Sequence, residues 1–164
     1  MRPIRLGMVG GGEGAFIGPV HRIAARLDGR YEMVAGALSS NPERAAASAA
    51  EIGLAPDRAY SDWAEMARAE AARADGIEVV AIVTPNHLHA GPVRAFLEAG
   101  IHVICDKPLT ATLEEAEALA QVRPANGARF LLTHTYAGYP MIRRARAMVA
   151  SGALGRIRRI HSEY

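Results

Sequence analysis

The chain has 164 residues, of which half are hydrophobic and 22% charged, with a formal net charge of +2; that length suits one domain, or one domain and a fragment of a second. So small a charge argues against nucleic acid or an anionic membrane surface as partner, and no apolar run approaches the ~20 residues of a membrane span. The one cysteine, Cys105, excludes an internal disulfide and suits a reducing cytoplasm.

The first predicted element is a strand over Ile4–Val9, a continuous apolar run of the kind buried on both faces. It enters a glycine cluster, Gly10-Gly11-Gly12-Glu13-Gly14-Ala15-Phe16-Ile17-Gly18, and a helix over residues 16–27 leads out. That helix carries Val20, Ile23, Ala24 and Leu27 at helical spacing. A strand, a glycine turn and a helix in this order make a phosphate site: glycines let backbone N–H groups approach the ligand, and the helix N-terminus adds positive potential. Gly10, Gly12 and Ala15 fit G-x-G-x-x-G/A, in which the last small residue permits close helix–strand packing. Gly14 and Gly18 offer a second frame.

Residues 31–38 read as the second strand. Asn41 then caps a helix with Pro42 at its first position, and an alanine-rich run follows to about Ile52. Ala59-Tyr60 reads as a short third strand, with Ser61 capping a helix over residues 62–73. Residues 77–83 make the strongest strand and end in Thr84-Pro85-Asn86-His87. A helix over 89–99 stops at Gly100, and His102–Cys105 is the fifth strand, ending in Asp106-Lys107-Pro108. Thr112 and Glu115 form a capping box. Residues 129–133 are the sixth strand, Pro140–Ala150 a helix, and residues 156–164 one more strand. Arg143, Arg144, Arg146, Arg156, Arg158 and Arg159 cluster late in the chain; with no interleaved aromatics they read as a solvated face.

Strands alternating with helices imply right-handed crossovers and a doubly wound, Rossmann-type parallel α/β sheet. Such sheets bind ligands at the carboxyl ends of their strands, and most of the chemically suggestive residues fall in loops there. An acidic residue after the second strand would hold an adenosine ribose and repel a 2′-phosphate. The chain instead reads Ala37-Leu38-Ser39-Ser40 with Arg44 close by, two hydroxyls and a guanidinium able to accept a phosphate. NADP is therefore favoured over NAD. Eighteen of the nineteen basic residues are arginine and the sole lysine is Lys107, where a compact ammonium able to change its pKa is wanted.

The glycine loop, the run Thr84-Pro85-Asn86-His87-Leu88-His89, Cys105-Asp106-Lys107-Pro108-Leu109, the stretch Thr133-His134-Thr135-Tyr136 and the run from Ser151 to Ile157 together resemble the Gfo/Idh/MocA family of NAD(P)-dependent oxidoreductases. The resemblance implies an N-terminal Rossmann domain over residues 1–135. It also implies hydride transfer to or from one carbinol carbon of a sugar, inositol or related polyol. The family's Glu-Lys-Pro appears here as Asp106-Lys107-Pro108, with Lys107 between nicotinamide ribose and substrate hydroxyl. Thr84, Pro85, Asn86 and His89 resemble the loop along the cofactor, and His134 and Tyr136 align with the segment facing nicotinamide and substrate. His21 is expected to be structural.

By the same resemblance, residues 136–164 are a linker helix and the first strand of a truncated second, α+β domain. That domain would form the substrate floor, the contacts of a homo-oligomer and a catalytic histidine in an Asp-x-x-x-His pattern. No such pattern follows Lys107, so the expectation is a cofactor-binding part, with a non-catalytic dinucleotide-binding module as the alternative. No metal site and no nucleic-acid or membrane partner is expected.

Overall fold

The computed structural model describes residues 2–163. The chain divides into two compact units, one running to Thr133 and one beginning at His134.

The first unit is built on a five-stranded sheet of β1 (Ile4–Val9), β2 (Tyr31–Ala37), β3 (Val79–Ile82), β4 (His102–Cys105) and β5 (Phe130–Leu132), all parallel, in the order β2-β1-β3-β4-β5. Around it run α1 (Ile17–Arg26), α2 (Pro42–Glu51), α3 (Trp63–Ala72), α4 (Ala90–Glu98) and α5 (Leu113–Ala120). The chain steps outward from β1 to β2, then returns to the other side of β1 for β3. That reversal places a crevice at the carboxyl ends of β1 and β3.

The inner strands β1, β3 and β4 bury most of both faces, and the period of two sorts their side chains between two cores. Val80, Ile82, Val103 and Cys105 pack with Met66 of α3, Val93 and Phe96 of α4, and Leu119 of α5. Leu6, Met8, Val79 and Ala81 pack on the opposite face with Leu38, Ala49 and Leu54. A fully buried side chain such as Phe96 contributes about 1.5–3 kcal/mol over its exposed form.

The crossover from β2 to β3 closes on a buried polar knot. The Glu70 carboxylate accepts the Arg58 guanidinium on both oxygens, the Tyr60 hydroxyl at 2.9 Å and the Ile77 N–H at 3.0 Å. Burial, followed by the Glu70 bond, pushes the Tyr60 hydroxyl up to about 12.

Several expectations are corrected. Ala59 makes one parallel bridge to Gly36 and no strand. Asp62, not Ser61, caps α3, accepting the Ala64 and Glu65 N–H groups. The apolar stripe of α1 does not face the sheet: Val20, Ile23 and Leu27 are exposed. The inward face is Gly18, His21, Arg22 and Ala25 at helical spacing, because a backbone contact described below sets the rotation of the helix. Asn41 caps α2, and the Thr112–Glu115 capping box is present as read.

The second unit has a 3₁₀ turn, Thr135–Gly138, and α6 (Pro140–Ala150), with Pro140 in the first turn. Tyr136 and Tyr139 meet at a tilt, ring centroids 5.6 Å apart. Residues 156–163 form no strand, contrary to expectation: among the described residues they have no neighbouring strand to complete a ladder, and a lone strand is unstable. Tyr164, the last residue of that expected strand, lies outside the described residues.

Candidate functional site

The turn between β1 and α1 is fixed at its start by the Gly10 N–H, which donates to the Ala37 carbonyl at 2.9 Å. Gly10, Gly11 and Gly14 have φ of +78°, +76° and +76°, a region that costs a residue with Cβ about 1–2 kcal/mol. The turn is also squeezed. A Cβ on Gly10 would lie 2.9 Å from Thr84 Cγ2, and one on Gly12 would lie 2.7 Å from the Leu38 carbonyl oxygen. Gly14, by contrast, opens outward with nothing within 4 Å.

The glycine that brings helix and loop together is Gly18, whose Cβ would fall 2.5 Å from both Gly11 Cα and Gly11 O. This corrects the role expected of Ala15, which closes the turn instead by donating its N–H to the Gly12 carbonyl at 3.0 Å. Two side chains brace the turn: Arg22 of α1 donates to the Gly11 carbonyl at 2.8 Å, and Ser48 of α2 accepts the Glu13 N–H at 3.0 Å. Burial lowers the Arg22 pKa. No side chain caps α1 and no carboxylate stands in its first turn, so its N-terminal N–H groups and positive dipole end are available to an anion. Phe16 is exposed and Ile17 half-buried at that end.

At the end of β2, Ser39 is half-buried and its hydroxyl oxygen accepts the Asn41 N–H at 3.1 Å; Ser40 is exposed. Arg44 is exposed on the first turn of α2, its N–H donating to Asn41 Oδ1 at 2.9 Å. After β3, Pro85 and Asn86 are exposed and Thr84 half-buried, its hydroxyl donating to the Leu88 carbonyl at 3.3 Å. His89 is 1% exposed. Its Nδ1 lies 2.8 Å from the Pro108 carbonyl oxygen and its Nε2 2.9 Å from that of Thr84. The expected cofactor contact therefore has no ring nitrogen left to make it.

After β4, the Asp106 N–H donates to the Ile82 carbonyl at 2.9 Å and the Thr133 N–H to the Cys105 carbonyl at 3.0 Å. The Asp106 carboxylate accepts the Thr133 hydroxyl at 2.6 Å and lies 3.7 Å from His21 Nε2. Lys107 is exposed, the bond joining it to Pro108 is cis, and its ammonium has no ion-pair partner among the described residues. Asp106 and Lys107 do not pair with each other at the strand end. Cys105 is fully buried, and burial, with the Asp106 charge second, pushes its thiol up to about 12.

The fold so gathers the glycine turn, Thr84, Asp106 and Lys107 at the carboxyl ends of adjacent strands β1, β3 and β4. His134 and Tyr136 belong to the second unit, both exposed. Sequence reasoning named Thr133 only within a family-like stretch and missed it and His21 as neighbours of Asp106, and also missed Arg22 and Ser48. Only Ser48 carried a signal, as a lone hydroxyl on the inward face of an alanine-rich helix.

Among the described residues no cluster of three His, Cys, Asp or Glu side chains could hold a metal ion, and no helix is long and apolar enough to cross a membrane. A family model described as an oxidoreductase family with an NAD-binding Rossmann fold, Gfo/Idh/MocA, matches residues 4–134. The uncharacterised oxidoreductase YfiI of Bacillus subtilis is 38% identical over 164 residues, covering 99% of this chain and 42% of YfiI. The crystal structure of an oxidoreductase from Sinorhizobium meliloti superposes with a TM-score of 0.91 at 59% identity, over 96% of this chain and 44% of that one. An inositol dehydrogenase homologue from Azotobacter vinelandii, complexed with NADH and myo-inositol, gives 0.89 at 46% identity, over 96% and 41%. The chain spans less than half the length of these relatives.

Proposed function

We propose a function from one premise: the chain belongs to the Gfo/Idh/MocA oxidoreductase family. It is the cofactor-binding part of a nicotinamide-dependent oxidoreductase that moves hydride to or from a carbinol carbon of a sugar, inositol or related polyol. Residues 1–135 form the dinucleotide-binding domain, and residues 136–164 begin the substrate domain.

One observation carries this reading. The glycine turn after β1 and the lone lysine after β4 stand two strand positions apart on one edge of the sheet, roughly 10 Å at the usual inter-strand spacing. That separation lets the central pyrophosphate of a dinucleotide sit on the turn while its nicotinamide end reaches the amine. The turn fits a pyrophosphate: positive-φ glycines, an open rim at Gly14 and an uncapped helix N-terminus converge there.

In this reading the backbone of Gly10, Gly12, Gly14, Ala15, Phe16 and Ile17 surrounds the pyrophosphate, while Thr84, Pro85 and Asn86 line its path. Ser39, Ser40 and Arg44 meet the adenosine ribose, and with no carboxylate at the end of β2 they favour NADP. When bound, the nicotinamide supplies the hydride acceptor or donor. The Lys107 ammonium donates to the carbinol oxygen and stabilises its developing negative charge. Asp106, held by Thr133, fixes the strand end from which Lys107 projects.

Thermal-shift titration tests the reading. A ligand at 100 times its dissociation constant adds about 2.7 kcal/mol to stability, so NADPH and NADH should both raise the melting temperature, NADPH at lower concentration. Absence of a shift with either overturns the proposal. Arg44→Glu should remove the NADPH preference and leave NADH binding unchanged; an unaltered preference refutes that assignment. Turnover over a polyol panel then separates an enzyme from a binding module.

A further inference from the structure

The His89 ring poses a proton-counting problem. Both of its nitrogens face backbone carbonyl oxygens, at 2.8 Å and 2.9 Å, and carbonyl oxygens only accept. A neutral imidazole has one N–H. It would satisfy one carbonyl and press a lone pair against the other, in a site shut off from water. Among the described residues nothing nearby supplies the missing proton: Pro108 has no N–H, and the Thr84 hydroxyl is committed to the Leu88 carbonyl.

We propose that His89 is held as an imidazolium which donates from both nitrogens, and that this double donation positions the Asp106-Lys107-Pro108 segment against the loop after β3. The two carbonyls come from separate loops, one following β3 and one following β4. A ring bridging both fixes their separation, which no hydrogen bond along a single strand can do. Burial without a carboxylate partner opposes this charge, and the two carbonyl dipoles that accept from the ring offset that cost in a low-dielectric setting, where such donations are strongest. Among the described residues no carboxylate pairs with it. Asp106 is turned to Thr133 and His21, while His87, Arg94, Glu98 and Lys107 are exposed. His89 is thus a positioning residue for the lysine and touches no reacting atom. Its effect on hydride transfer rests on the function proposed above, whereas its protonation does not.

The test is a long-range ¹H–¹⁵N correlation of the histidine rings in the intact chain at about pH 7, near where free histidine titrates. The ring is assigned by its loss in His89→Gln, or by through-space contacts to Pro108 and Thr84 in the unsubstituted chain if that variant does not fold. The expected result is two protonated, pyrrole-type nitrogens on that ring, each with a slowly exchanging proton. One pyridine-type nitrogen overturns the protonation claim.

Hydrogen exchange on His89→Gln tests the positioning claim. The Asp106 amide, which donates to the Ile82 carbonyl at 2.9 Å, should exchange about tenfold faster, equivalent to about 1.4 kcal/mol, with those of β1 unchanged; an equal rate at Asp106 overturns it. Neither measurement needs a cofactor, so failure of NADPH and NADH to bind would sink the proposed function and leave both results readable.

Discussion

Replacing Gly18 with alanine sets two effects of opposite sign against each other. Gly18 is the second residue of α1, and intrinsic helix propensity alone predicts that alanine stabilises by up to about 1 kcal/mol. The structure predicts the reverse. The new Cβ would sit 2.5 Å from Gly11 Cα and Gly11 O and 2.9 Å from Gly11 C. All three are backbone atoms, so no rotamer change relieves them. Reaching an ordinary contact of 3.4 Å requires α1 and the turn to part by about 0.9 Å, and Arg22 and Ser48 hold the turn where it is. Overpacking of this kind costs about 1–3 kcal/mol, so the net effect is a loss of up to about 2 kcal/mol, or a melting temperature lower by up to roughly 8 °C in a chain of this size. The same parting moves the N–H groups of the turn, so NADPH affinity should fall by about tenfold or more. Urea unfolding and a fluorescence titration with NADPH read the two quantities separately. A variant that is more stable than the parent and binds NADPH equally well would refute the claim that a Gly11–Gly18 contact sets the helix.

Glu70→Ala removes the buried carboxylate that pairs with Arg58 and leaves the guanidinium only the exposed Asp75 carboxylate at 3.6 Å and the Asp75 carbonyl at 3.3 Å; removing one partner of a buried pair costs about 3–5 kcal/mol, read by urea unfolding. The Cys105 thiol, buried and raised to about 12, should resist alkylation in the native chain and react fully in denaturant, as mass spectrometry would show. Glu78 is held at about 2, chiefly by its hydrogen bond from Arg2 and then by the Arg5 N–H. Because its folded value lies below the ordinary 4.5, its contribution is present above about pH 4.5 and is lost as pH falls toward 2. The stability difference between the parent and Glu78→Gln should therefore shrink across that window in urea unfolding at a series of pH values, modestly because Arg2 is largely exposed.

The alternation of strands and helices and the caps at Asn41 and Thr112 were legible in the sequence because each rests on short-range chemistry. Asn41 before Pro42 and Thr112 before Glu115 carry their cap geometry in neighbouring residues, and continuous apolar runs mark buried parallel strands. What the sequence hid depends on contacts distant along the chain. The rotation of α1 follows from one backbone approach between Gly11 and Gly18, which overrode the apolar period of Val20, Ile23 and Leu27. His89 looks like any residue at a helix start until Pro108, nineteen positions on, meets its ring. Thr133 and His21 reach Asp106 from two other elements, and no local pattern announces either. The site loops themselves were found because every one of them follows a strand.

The lone amine after β4 has a practical consequence. Lys107 is the sole lysine side chain in the sequence and is exposed, with no carboxylate holding its ammonium among the described residues. Amine-directed acylation or reductive methylation will therefore mark one side chain at one address on the fold. Protection of that mark by a ligand becomes a direct footprint of occupancy at the end of β4, readable on a single tryptic peptide without any turnover assay.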